Sequence, residues 1–139
     1  MNRYDELPLV LIIENSKSCQ ELYLMRLHGI ARVKQAFSIE VGARTIGQYF
    51  REGTILVIDG TLESHLDGLR LLEIAKRVEK QEHFFGVIIA GSTSEEDNLI
   101  LCKAGCTHNP ITKIGILPII NNLIIKKERE GFSLNVSHI

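Results

Sequence analysis

The sequence predicts an α/β domain, a (βα)5 alternation around a parallel sheet with helices on both faces. Three observations predict it. The runs Leu9-Val10-Leu11-Ile12-Ile13 and Thr54-Ile55-Leu56-Val57-Ile58 are continuously apolar, as strands buried on both faces are. Strand-like segments recur about every 25 residues with helical patterns between them. The two apolar runs each stop at an acid, Glu14 and Asp59, and Gly60 follows the second, so both strands end at a polar edge.

The first strand is 9–13, and a helix follows over about 18–28, where Ser18 and Glu21 have capping-box spacing and Gly29 is a terminator. A second strand, about 31–37, is less apolar, as an edge strand can be. The helix over about 42–50 is weakened by Gly42 and Gly47. The third strand is 54–58, and residues 60–67 form a loop. A helix over about 68–81 presents Leu69, Leu71, Leu72, Ile74, Ala75 and Val78 as its apolar face. The fourth strand is 84–90, and the helix 95–104 ends at Gly105, placed for a left-handed residue. A short fifth strand is expected at 110–112. Pro118 opens a last helix to about 128, where its missing N–H costs little. Residues 1–7 are read as an N-terminal extension, 8–128 as the domain and 129–139 as a tail without an assigned element.

A chain of 139 residues suits one domain, and 45% hydrophobic residues suffice for a core. A net charge of −1, with scattered Lys and Arg, argues against a nucleic-acid or anionic-membrane partner. The short cluster Lys126-Lys127 with Arg129 reads as a solvated helix end. No apolar stretch approaches the roughly 20 residues needed to span a bilayer. The N-terminus lacks signal-peptide architecture, so a cytoplasmic location is expected. Three cysteines cannot all pair within one chain and read as buried thiols.

In open α/β sheets, function sits at the carboxyl ends of the strands. Glu14 and Asp59 at the tips of strands one and three suggest one acidic pocket, beside the one long connection, 60–67. Each residue also has a plainer reading. Asp59-Gly60 can be a turn pair, Glu14 a solvated loop acid, and Asn15 a helix cap. Ser92 and Thr93 can likewise be caps for the following helix.

Over about residues 8–127 the chain resembles the receiver domain of two-component response regulators. The segment Ile55-Leu56-Val57-Ile58-Asp59 resembles that family's phosphoacceptor strand, and Asp67-Gly68-Leu69 with Leu72 resembles the start of its third helix. Ser94-Glu95-Glu96-Asp97 and Ala104-Gly105-Cys106 resemble its fourth helix, and Lys113 stands at the place of its lysine. The resemblance implies a flavodoxin-like, doubly wound five-stranded sheet of order 2-1-3-4-5. It implies phosphoryl transfer from a phosphohistidine to Asp59, with Lys113 pairing first with the carboxylate and then with the phosphoryl group. It implies Mg²⁺ held by Glu14, Asn15, Asp59 and the Thr61 carbonyl. Two carboxylates about 6 Å apart repel by about 3 kcal/mol at an effective dielectric near 20, which Mg²⁺ or Lys113 would offset.

The chain also departs from that pattern. Asn15 replaces a directly ligating acid, which weakens Mg²⁺ binding, and Ala90 stands where the fourth strand should end in Thr or Ser. The aromatic switch position falls near Asn109 or Pro110, and Ile114 replaces a proline. The partners implied are a sensor histidine kinase or phosphotransfer protein and a downstream protein. A homodimer could form through the face of the fourth helix, fifth strand and fifth helix, about 95–105 and 110–127. The alternative function is a pseudo-receiver, the same fold used as a phosphorylation-independent interaction module. A flavin- or nucleotide-binding flavodoxin-like role ranks last, since no glycine-rich phosphate loop follows the first strand.

Overall fold

The structure is a computed structural model that describes the backbone of residues 3–137 and, within it, the side chains of residues 4–130. Four strands form one parallel sheet: β1 (Leu9–Ile13), β2 (Arg32–Ala36), β3 (Ile55–Ile58) and β4 (Val87–Ala90), in the order β2-β1-β3-β4. Five helices connect and cover it: α1 (Lys17–Leu27), α2 (Ile39–Tyr49), α3 (Gly68–Glu82), α4 (Glu95–Ala104) and α5 (Ile116–Ser137). In-register pairing sets Ile13 beside Ala36 on one side and Ile58 on the other, and Ile58 beside Ala90.

Strand alternation divides the core in two. Leu11, Ile13, Leu56, Ile58, Ile88 and Ala90 pack with Ile46, Leu71, Leu72 and Leu101 from α2, α3 and α4. Val10, Ile12, Ile55, Val57 and Ile89 pack with Tyr23 and Leu27 of α1 and with Ile116, Ile120 and Ile124 of α5. The helices therefore lie on both faces, as the alternation predicts. Gly42 weakens α2 by propensity but lets it approach β1 closely, since a Cβ there would meet Ile13 Cγ2 at 2.8 Å.

The expected five-stranded sheet of order 2-1-3-4-5 is corrected to four strands. At the edge of β4 the chain forms a single parallel bridge, Ile89 to His108, rather than a strand at 110–112. Ala90 N–H donates to the His108 carbonyl at 3.1 Å and Thr107 N–H to the Ile88 carbonyl at 2.7 Å. The next rung of a parallel ladder would need an N–H from residue 110, and Pro110 has none. The chain turns away instead: Ile111 adopts φ +71° and Thr112 N–H donates to the Pro110 carbonyl at 2.8 Å. Positive φ at a β-branched residue costs on the order of 1–3 kcal/mol.

Helix ends also differ from the sequence reading. α1 is capped by Ser16, whose Oγ accepts the Cys19 N–H at 3.3 Å; Ser18 meets Ser16 side chain to side chain at 3.1 Å. Ser38 caps α2, which begins at Ile39. α4 spans Glu95–Ala104 as read, and Gly105 closes it at φ +133°. α5 begins two residues before Pro118 and continues through Ser137, so Lys126 and Lys127 lie within it, not at its end. Within the expected 1–7 extension Arg3–Glu6 form a short 3-10 turn; residues 1–2 and 138–139, the outer parts of the two terminal segments, lie outside the described residues. Cys106 is buried, Cys19 and Cys102 are half-buried, and all three are free thiols.

Candidate functional site: an acidic pair and a lysine at the strand tips

The ladder carries Glu14 and Asp59 to one edge. Glu14 N–H donates to the Ala36 carbonyl at 2.9 Å and Asp59 N–H to the Ile13 carbonyl at 2.9 Å, so each acid is the first residue past its strand. Both are buried, at 2% and 5% exposure, far less than a turn acid on the surface would be. Lys113, on a 3-10 turn (Lys113–Gly115) rather than a strand, reaches the same edge. Its ammonium donates to Glu14 Oε1 and lies 3.6 Å from Asp59 Oδ2. Glu14, Asp59 and Lys113 therefore share one site, across 99 residues of chain in the case of Glu14 and Lys113.

Two carboxylates face one lysine, and the charges do not cancel. Burial, followed by the hydrogen bond and charge of Glu14, pushes the Asp59 carboxyl up to about 7; the Thr61 N–H and Lys113 oppose this. For Lys113 burial is the largest influence and disfavours the charged form. The bond to Glu14 and the charge of Asp59 outweigh it and raise the ammonium above its ordinary value.

The loop after β3 is shaped by Asp67 and Gly68. The Asp67 carboxylate accepts the N–H groups of Leu62 (2.8 Å), Glu63 (3.0 Å) and Ser64 (2.9 Å). Burial acts most strongly and opposes ionisation, yet these donors together with Arg70 hold its carboxyl below the usual range. Gly68 packs directly on the site strand: a Cβ there would lie 2.2 Å from the Asp59 carbonyl oxygen. Thr61 N–H donates to Asp59 Oδ1 at 3.1 Å and Thr61 Oγ1 accepts the Leu66 N–H at 3.1 Å. Asn15 does not cap α1; its Nδ2 donates to the Leu62 carbonyl at 2.7 Å, tying the β1 tip to this loop.

On the far side, Ala90 is buried and Ser92 lies two residues beyond it. Ser92 Oγ accepts the Ser94 N–H at 3.2 Å and Ser94 caps α4, while Thr93 is exposed. His65 is exposed and pairs with Asp97 at 3.2 Å. Sequence reading missed Gln20, which is buried. Its Nε2 donates to the carbonyls of Ile12 (3.0 Å), Glu14 (3.1 Å) and Ala36 (3.1 Å), bracing the β1 tip against β2. A polar residue on the inward side of α1, spaced with Tyr23 and Leu27, was the available signal.

The donor set also bears on a metal. Among the described residues no cluster of three or more His, Cys, Asp or Glu forms. Glu14 and Asp59 nevertheless direct oxygens at one cation, the Lys113 ammonium, and the trio retains a net negative charge when fully ionised. Hard oxygen donors with uncompensated charge fit Mg²⁺ chemistry.

The chain has the fold of response-regulator receiver (CheY-like) domains. It is similar to the receiver domain of the Francisella response regulator 1452, with TM-score 0.63 and 21% identity over 86% of this chain and 98% of that one. It is also similar to a CheY-like receiver domain protein from Methanospirillum hungatei, with TM-score 0.62 and 21% identity over 89% and 98% of the two chains. A third is the BeF3-activated receiver domain of DrrB from Thermotoga maritima, with TM-score 0.63 and 15% identity over 85% and 97%. No protein-family model and no curated protein sequence matches the chain. No helix among the described residues is long and apolar enough to cross a membrane.

Proposed function

We propose that this chain is a receiver-type signalling domain that accepts a phosphoryl group on Asp59. The observation that carries this reading is the convergence of Asp59, Glu14 and Lys113 at the carboxyl edge of a receiver fold. In the proposed step an Asp59 carboxylate oxygen attacks the phosphorus of a phosphohistidine. The P–N bond breaks, its electron pair stays on the imidazole nitrogen, and Asp59 becomes an acyl phosphate. Lys113 lies 3.6 Å from Asp59 and supplies positive charge to the transferred group once its hold on Glu14 is shared.

Glu14, Asp59 and the Thr61 carbonyl are the residues that would hold Mg²⁺, which when bound would neutralise charge on the phosphoryl oxygens. Asn15 is committed through Nδ2 to Leu62 and supplies at most its amide oxygen, so the site is a weak one. The donor is a sensor histidine kinase or phosphotransfer protein in the cytoplasm. A groove of about 610 Å³ between α1 and the start of α5, lined by Leu22, Tyr23, Arg26, Ile114 and Leu117, opens beside Lys113 and supports docking there. A downstream protein or a second copy would use the face of α4, α5 and the segment between them, where Leu99 and Ile111 are exposed. Sedimentation at high concentration tests the second copy: a monomer removes it.

One observation favours the pseudo-receiver reading. Ala90 carries no hydroxyl for a phosphoryl group, and the nearest hydroxyl, Ser92, lies two residues past β4, is buried and accepts the Ser94 N–H. Incubation with Mg²⁺ and acetyl phosphate decides between the two. A mass gain of one phosphoryl group, absent in Asp59→Asn, supports the phosphoacceptor. No gain at millimolar Mg²⁺, and no response to beryllium fluoride, leaves an interaction module.

A further inference from the structure

Asn98 is fully buried on α4, yet it carries an amide, and that amide is spent at one junction. Its Oδ1 accepts the Ser92 N–H at 2.8 Å, and its Nδ2 donates to the Ser92 carbonyl at 2.9 Å. These two bonds fix the loop between β4 and α4. Nδ2 also donates to the Ile111 carbonyl at 3.0 Å, which lies in the segment that replaces a fifth strand.

Elsewhere that segment is held by the burial of Pro110 and by Gly115, which packs on the Pro110 carbonyl, and not by ladder bonds. Pro110 cannot extend the ladder. Ile111 N–H goes to the Asn109 side chain at 2.9 Å and Thr112 N–H to the Pro110 carbonyl at 2.8 Å, both within the segment. Ile111 nevertheless stands at φ +71°, a conformation that persists in a β-branched residue only where its surroundings impose it. Its side chain is 59% exposed, so side-chain packing does not supply the constraint. The constraint is a γ-turn, closed by the Thr112 N–H on the Pro110 carbonyl and pinned to α4 by the bond from Asn98 to the Ile111 carbonyl. Two residues further on, Lys113 meets Glu14 and Asp59.

We infer that Asn98 is a positioning residue: by holding Ile111 it keeps Lys113 against the two carboxylates and ties the acidic site to the first turn of α4. The link to α4 as a signalling route rests on the receiver reading above, whereas the holding of Lys113 does not. The connection matters because Ala90 leaves the end of β4 without a hydroxyl. Movement of Lys113 toward a modified Asp59 would then be felt at α4 through Ile111 and Asn98.

Two variants of the full chain test this: Asn98→Ala, and the near-isosteric Asn98→Asp, whose carboxylate keeps the Ser92 N–H but cannot donate to Ile111. Each is acetylated with a limiting amine reagent and analysed residue by residue by mass spectrometry. Exposed Lys80 serves as the internal standard and thiol labelling of buried Cys106 as the check on the core. The expected result is a several-fold rise in Lys113 acetylation relative to Lys80, with Cys106 as protected as in the parent. Unchanged Lys113 acetylation in a variant that protects Cys106 overturns the assignment. Loss of Cys106 protection in both variants overturns it too, leaving Asn98 a purely structural role. In a second measurement, beryllium fluoride with Mg²⁺ should shift the amide signals of Asp59, Ile111 and Ser92 in the parent. In Asn98→Ala the Ser92 response should be lost while Asp59 still responds. A Ser92 response that survives removes the link to α4. No response anywhere in the parent strikes the receiver reading and the link to α4, and leaves the labelling result standing.

Discussion

Replacing Asp59 by Asn should stabilise the protein at neutral and mildly alkaline pH, and the gain should vanish in acid. Asp59 titrates near 3.8 when unfolded and is pushed up to about 7 when folded, chiefly by burial and then by Glu14. The folded state therefore binds the proton more tightly than the unfolded state. The stability this contributes is complete below about pH 4 and is lost as pH rises through about 7. A difference of about 3 pH units at 1.36 kcal/mol per unit sets a ceiling of about 4 kcal/mol on the penalty of ionising Asp59 in place. Asn removes that penalty. It also removes the Lys113–Asp59 contact at 3.6 Å, and residual order in the denatured state reduces the difference further. The expected gain is about 1–3 kcal/mol at about pH 8, roughly 3 °C in melting temperature per kcal/mol for a domain of this size. Below about pH 4 it should shrink to under about 1 kcal/mol. Thermal or urea unfolding of both proteins at the two pH values measures this directly. Taking the variant-minus-parent difference cancels the titration of the other carboxylates. An Asn variant less stable than its parent at about pH 8, or a difference independent of pH, would refute the view that Asp59 is a buried, undercompensated acid.

Lys113→Met leaves Glu14 and Asp59 facing each other without their cation. It should cost about 1–3 kcal/mol at about pH 8 in urea unfolding, less at about pH 5, where proton uptake compensates. Acyl-phosphate formation from acetyl phosphate needs an ionised Asp59, so without added metal its initial rate should rise with pH up to about 7 and then level off; a flat profile would show that Asp59 is ionised throughout. Gly68→Ala forces a Cβ to 2.2 Å from the Asp59 carbonyl oxygen and should cost about 1–3 kcal/mol, read as a lower melting temperature. Pro110→Ala restores an N–H at the rung where the ladder stops. The new amide at residue 110 should exchange slowly, protected by the Ala90 carbonyl, and rapid exchange there would show that the proline is not what ends the edge.

Local chemistry made much of this molecule legible. The strands showed because residues buried on both faces are apolar without interruption, and β1 matches its reading residue for residue. α4 matches in its bounds because Gly105 marks its end with backbone chemistry that needs no distant partner, although its cap is Ser94 and not Ser92 or Thr93. Glu14 and Asp59 could be seen as a pair because a parallel sheet brings the tips of neighbouring strands to one edge. The last helix was legible only in part: Ile120 and Ile124 showed, but its start at Ile116 lies before Pro118 and its continuation past Glu128 carries no apolar period that would extend it.

The sequence by itself determined the alternation, the two-sided burial of the strands and the position of an acid at each of two tips. These follow from periodicity and polarity within a few residues. Only the tertiary structure decided that a fifth strand would not form, because that outcome turns on which neighbouring carbonyl faces the missing N–H of Pro110. Only the tertiary structure decided that Asn15 would reach Leu62, that Asn98 would clasp Ile111, and that Lys113 would cross to Glu14. Hydrogen bonds and ion pairs of this kind join residues whose separation along the chain carries no period, so their partners exist only once the sheet has brought them together.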